Sequence, residues 1–162
     1  ELTDHYDPRS KKLALSAGVA QQPSVAALAI VAHEIGHALQ DHQGYAPLKL
    51  RGAIVPAVTV SSWVAPLLFF AGLLLGMTEL AGVGVILFGA SVLFALVTLP
   101  VEFDASRRAK AILADSGMVY ATNMGGVNSV LNAAALTYVA AAVQAISTLM
   151  YYAFLLMGSS DD

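Results

Sequence analysis

The chain has no cysteine. That removes disulfides, thiolate metal sites and cysteine nucleophiles together, and it leaves histidine and carboxylate as the side chains able to hold a metal ion. Charge is scarce as well: Asp, Glu, Lys and Arg supply 12% of 162 residues, against roughly 25% in an ordinary soluble domain. A solvated surface cannot be drawn around so few charges. There is no long basic or acidic run, no collagen-like repeat and no low-complexity linker, so a nucleic-acid-binding arm, a fibre and a disordered chain are excluded. What the chain has in excess is apolar: 57% of it is hydrophobic.

The placement of the charges organises the rest. All eight basic residues fall in three clusters: Arg9, Lys11 and Lys12; Lys49 and Arg51; Arg107, Arg108 and Lys110. Between the clusters, residues 52–78 carry no charge, Glu79 stands alone, and residues 80–101 are again uncharged. A helix needs about 20 apolar residues to cross a bilayer, and buried soluble helices are seldom so long. The pattern predicts a transmembrane hairpin over 53–99, with helices over 53–76 and 80–99 and a tight turn at Met77 to Glu79. A third uncharged run follows, and its most apolar part, 133–157, is long enough for another transmembrane helix. Thr137, Tyr138, Gln144, Ser147 and Thr148 on it suggest one face packed on protein. Gly72, Gly76, Gly82, Gly84 and Gly89 read as small residues that let membrane helices approach closely, and Trp63 and the methionines as lipid-facing or interfacial side chains. The fold class expected is an all-α integral membrane protein. Because the basic clusters share one side, the positive-inside rule makes that side cytoplasmic and turns Glu79 and the tail Asp161 and Asp162 outward.

The chemistry stands before the first span. Ser24 after Pro23 offers a helix N-cap and Gly44 a stop, so Val25 to Gln43 reads as one helix within a 24–44 segment that follows a 1–23 loop. It contains His33-Glu34-Ile35-Gly36-His37. Residues four apart share a helical face, so both imidazoles can address one ion while Glu34 reaches a water beside it. In shuffles of this composition such a His-Glu-x-x-His occurs in only about two or three of a thousand, which makes the motif informative. Two His and a Glu on a helix with apolar neighbours such as Ala29, Ile30 and Leu39 must also be satisfied by something.

A catalytic zinc wants three protein ligands and an open position. Gln40 and Gln43 stand where a metzincin would have Gly and His, which excludes that subclass. His42 lies about 140° round the helix from His37 and cannot share its ion, so it reads as a surface or cap residue. A carboxylate must come from elsewhere, and Glu79 is expected across the membrane. Glu102 and Asp104 are on the correct side, in Pro100-Val-Glu-Phe-Asp-Ala-Ser-Arg-Arg-Ala109, where a further helix over 100–115 is expected with Pro100 in its first turn. Two residues apart on a helix they face about 200° from one another, so only one of them can be the ligand.

The segments Asp4-His-Tyr-Asp-Pro8, Ala32-His-Glu-Ile-Gly-His-Ala38, Tyr45-Ala-Pro-Leu48, Thr98-Leu-Pro-Val-Glu-Phe-Asp-Ala-Ser-Arg-Arg-Ala109 and Leu131-Asn-Ala-Ala-Ala-Leu-Thr-Tyr-Val-Ala140 resemble the YugP-like bacterial membrane neutral zinc metallopeptidases over nearly the whole chain. A more distant resemblance is to the HtpX and CAAX prenyl protease group, which opens a Glu-aromatic-x-Ala-Asp motif with the metal-binding Glu. That motif maps onto Glu102, Phe103, Asp104 and Ala105, and the chain departs from it at Ser106. The resemblance implies one domain over 1–162, a His-Glu-x-x-His helix at the membrane interface, a transmembrane hairpin, a Glu-bearing helix and a C-terminal transmembrane helix. Members of the family usually carry a further N-terminal segment with another membrane helix, which implies that this chain lacks one.

The resemblance further implies one zinc per chain held by His33, His37 and Glu102, with Glu34 as general base. His5, Tyr138, Arg107 and Arg108 are candidates to stabilise the oxyanion, and Asp104 is a candidate to orient an imidazole or pair with arginine. For Asp4-His5-Tyr6-Asp7, a turn held by Asp side chains on backbone amides is the plainer reading. The implied function is a zinc metalloendopeptidase of the gluzincin type in the bacterial plasma membrane. Its active site would be cytoplasmic, its substrates membrane or misfolded proteins, and no nucleic acid is expected. A catalytically weak scaffold stabilised by metal is the alternative. A metal transporter ranks below both, because the spans contain no ionisable ligands.

Overall fold

The computed structural model describes residues 3–159. The expected outward placement of Asp161 and Asp162 falls outside the described residues. In order the elements are β1 (His5–Asp7), β2 (Lys12–Ala14), α1 (Ala17–Gln21), α2 (Val25–His42), α3 (Ala46–Leu74), α4 (Thr78–Ser116), a 3-10 turn (Ala121–Asn123) and α5 (Met124–Ser159). They belong to two compact units. One combines the chain up to Lys49 with Leu99–Thr137, and the other combines Leu50–Thr98 with the chain from Tyr138 onward.

In the first unit α2 begins where its cap lies, the Ser24 hydroxyl accepting the Ala27 N–H at 3.1 Å. It ends at Gly44, whose φ of +67° is open to glycine at no steric cost. The core packs α2 through Ala29 and Ala32 against Ala109 and Leu113 of α4, Val119 of the following loop, and Val127 and Leu131 of α5. The small residues matter here. A Cβ at Gly36 would stand 2.6 Å from the Ala105 carbonyl oxygen, so only glycine lets α2 and α4 touch at this point.

The all-helical expectation needs one amendment. β1 and β2 form an antiparallel hairpin pairing His5 with Ala14, Tyr6 with Leu13 and Asp7 with Lys12. Its turn is held as the simpler reading supposed: Asp7 accepts the Arg9 N–H at 2.9 Å and the Ser10 hydroxyl at 2.6 Å, and Asp4 accepts the Ser16 N–H at 2.7 Å.

In the second unit α3 and α4 fold back on each other through Leu75, Gly76 and Met77. Gly84 sits against the Phe69 backbone nitrogen, 2.6 Å from where its Cβ would be, and Gly72 similarly meets Ala81. Of the other glycines expected to do this, Gly76 forms the turn at φ +66°, while Gly89 meets nothing within 4 Å. Phe69 is fully buried and stacks on Tyr152 with ring centroids 4.5 Å apart. Trp63, Leu67, Leu74 and Ile86 are exposed by two thirds or more, an apolar exterior unsuited to water. Among the described residues three helices are long and apolar enough to cross a membrane: α3, α4 and the helical stretch Ala121–Gly158 that contains most of α5.

Helix limits differ from those expected from apolar runs. α3 starts at Ala46, includes Lys49 and Arg51 and carries Pro47 in its first turn. The separate helix expected over 100–115 is the continuation of α4, with Pro100 inside it. Proline there lacks the N–H that would bond the Leu96 carbonyl one turn back, and two residues earlier the Thr98 hydroxyl donates to Phe94 O at 2.7 Å.

Candidate metal centre

His33 and His37 stand one turn apart on α2 with their rings edge to face, centroids 4.8 Å apart. Glu102 reaches them from α4. Its Oε2 lies 3.1 Å from His33 Nε2 and 3.5 Å from His37 Nε2. One nitrogen or oxygen from each of the three residues lies within 4.8 Å of the others. Glu102 is 2% exposed and His37 8%. A buried carboxylate facing two imidazoles needs positive charge among them. Burial pulls the His37 pKa down, and the hydrogen bond and charge of Glu102 override it and leave His37 raised above an ordinary imidazole. The same field favours a divalent cation, and two imidazoles with one carboxylate are a donor set suited to zinc. The residues fit the metal.

The outer nitrogens of the two rings are also engaged. His37 Nδ1 lies 2.9 Å from Gln40 Oε1, while Gln40 Nε2 donates to Val101 O at 2.8 Å and Asp104 Oδ2 at 3.0 Å. Those two acceptors can be served only by the amide nitrogen, so the amide oxygen must face His37 and Nδ1 must be the donor. His37 Nε2 is thereby turned toward Glu102 with its lone pair available for a metal. His33 Nδ1 meets the Ser106 hydroxyl at 3.2 Å. Neither Gln40 nor Ser106 was identifiable from sequence spacing. Gln40 is fully buried, and its role depends on α4 lying across α2.

Asp104 points away from the cradle, as its angular offset from Glu102 requires. It accepts from Gln40 and pairs with both Arg107 and Arg108. Arg108 also donates to Gln43 Oε1 at 2.6 Å, and its guanidinium lies over the Tyr45 ring. The Arg107 side chain is 79% exposed. Exposed His5 has its Nδ1 2.8 Å from Thr3 O, and half-buried Tyr138 belongs to the second unit. His42 is exposed at the last residue of α2. Glu34 is buried, and its Oε2 accepts the Tyr6 backbone N–H at 2.8 Å.

Comparison with known proteins points to zinc as well. The family described as "Putative neutral zinc metallopeptidase" matches residues 1–157. The chain belongs to that family. It is 48% identical over 161 residues to the "Putative membrane protease YugP" of Bacillus subtilis (strain 168), an overlap covering 99% of this chain and 72% of that protein. No solved structure matches it. A member of the zinc metallopeptidase family is a hydrolase, and the three long apolar helices among the described residues accord with a membrane setting.

Proposed function

We propose that this metallopeptidase is a zinc-dependent endopeptidase of the His-Glu-x-x-His gluzincin type that hydrolyses peptide bonds of membrane or misfolded proteins. The observation that carries the reading is the convergence of His33 Nε2, His37 Nε2 and Glu102 Oε2, with Glu34 buried on the same helix as the two imidazoles. His33, His37 and Glu102 would hold one zinc ion per chain, which would supply Lewis acidity toward a peptide carbonyl and a water. Glu34 is the general base: with Oε2 engaged by the Tyr6 amide, its other oxygen takes a proton and passes it to the leaving nitrogen. Gln40 and Ser106 keep the imidazoles turned inward. Proteolysis of a casein-type substrate by detergent-purified protein tests this. Cleavage should stop on chelation and return with zinc, and cleavage indifferent to chelator would exclude a metal-dependent reaction.

The site lies at the cytoplasmic face of the bacterial plasma membrane in this account. Support comes from chain order. The turn at Gln43 to Tyr45 joins α2 directly to the first apolar helix, and Glu102 is the first charge after the uncharged run of α4. The basic clusters flank these same points. The chain has no native cysteine, so a single cysteine at exposed Lys49 (Lys49→Cys) reports the side cleanly. A membrane-impermeant thiol reagent should reach it only from the cytoplasmic side, and labelling only from outside would reverse the orientation.

A further inference from the structure

The N-terminal hairpin contributes no metal ligand, yet Tyr6 touches the base. In an antiparallel pair alternate residues direct their N–H away from the partner strand, and the Tyr6 N–H goes to Glu34 Oε2 at 2.8 Å. The same residue's phenol donates to Asp41 Oδ2 at 2.8 Å. Glu34 and Asp41 are seven residues apart on α2, about two turns and roughly 10 Å along one face, and Tyr6 spans them. Lys11, from the hairpin's turn, pairs with the same Asp41 oxygen. The contacts are set for neutral pH. Lys11 first, then the Tyr6 hydrogen bond, holds Asp41 below the ordinary carboxylate range, and burial followed by the Asp41 bond pushes the Tyr6 phenol up to about 12. The phenol therefore stays a donor and Asp41 a charged acceptor.

Glu34 sits between two requirements. A general base must present one oxygen in a constant direction, since small misplacements of a catalytic group are costly in rate. A Glu side chain has three rotatable bonds, and the helix constrains mainly the first. A backbone N–H on Oε2 constrains the last of them, provided that the N–H is itself held in place. Asp7 and Asp4 shape the hairpin internally, but among the described residues the hydrogen bonds that attach it to α2 are those to Glu34 and Asp41.

We propose that Tyr6, Asp41 and Lys11 are positioning residues for the base: the phenol, pinned on Asp41 beside Lys11, holds the Tyr6 amide against Glu34 so that the other carboxylate oxygen keeps one orientation. This rests on Glu34 being the general base. Asp41 and Lys11 act through Tyr6 and touch neither metal nor substrate.

The test compares Tyr6→Phe, Asp41→Ala and Asp41→Asn with wild type and Glu34→Gln, all zinc-loaded in detergent. kcat, KM, zinc content and thermal midpoint are measured, together with amide exchange at residue 6. Tyr6→Phe and Asp41→Ala should each lower kcat by about tenfold with KM and zinc content unchanged. Combined, they should cost little more than either alone, because they break one bond. Asp41→Asn, which retains an acceptor oxygen, should recover most of the loss, and exchange at the residue 6 amide should accelerate in Tyr6→Phe. Unchanged kcat in both variants would overturn the proposal. So would a loss of kcat that tracks loss of zinc or of thermal stability, since the hairpin would then be a structural staple. If wild type and Glu34→Gln cleave equally, it is the general-base reading that fails, and the positioning proposal fails with it.

Discussion

Glu102→Ala should weaken zinc binding by about a thousandfold or more and abolish peptide cleavage, the expectation for removing one of three ligands from a site whose affinity depends on all of them. Glu102 supplies the oxygen that both imidazoles face, at 3.1 and 3.5 Å. Without it, two neutral imidazoles confront the cation with no compensating charge of their own. Asp104→Ala and Gln40→Leu test the same geometry from outside. Each cuts the chain of bonds from Asp104 through Gln40 to His37 Nδ1, so each should cost about 10- to 100-fold in zinc affinity, as expected for partners that orient a ligand. Metal titrations of the three purified variants give the order. A larger loss for Asp104→Ala than for Glu102→Ala would transfer the ligand role to Asp104 and break the resemblance to the Glu-aromatic-x-Ala-Asp enzymes.

The parts of the site that could be read in the sequence are those set by local rules. The limits of α2 were legible because Ser24 caps and Gly44 terminates within a few residues of the motif. The His33 and His37 pair was legible because helical periodicity alone places both on one face. The choice between Glu102 and Asp104 was half legible: their angular separation said that only one could face the ion, and spacing alone left open which, so the choice of Glu102 rested on the resemblance to the Glu-aromatic-x-Ala-Asp enzymes. Gln40 and Ser106 were opaque. Gln40 counted in the sequence only as the absence of a glycine, and Ser106 only as a departure from aspartate, whereas each meets an imidazole through contact between the two helices. The hairpin at His5 to Ala14 was also missed. Its strands have three residues each, too short for an alternation of apolar and polar positions to register, and the hairpin is joined to α2 by Tyr6 of β1 and Lys11 of the turn. Helix ends in α3 and α4 were misplaced because an uncharged run marks where a bilayer can be, and a helix continues past it as long as its backbone bonds do.

Glu34 separates an enzyme from a scaffold that keeps zinc for stability. Its carboxylate stands outside the ligand group, so Glu34→Gln alters no ligand, and the glutamine carbonyl can still accept the Tyr6 N–H. What the amide cannot do is take a proton from water. The central claim is therefore tested most directly by measuring zinc content and cleavage rate on one preparation of Glu34→Gln beside wild type. The account predicts about one zinc per chain in both proteins and a rate lower by about a hundredfold or more in the variant, the scale of a lost general base. A zinc-loaded Glu34→Gln protein that cleaves as fast as wild type would contradict it.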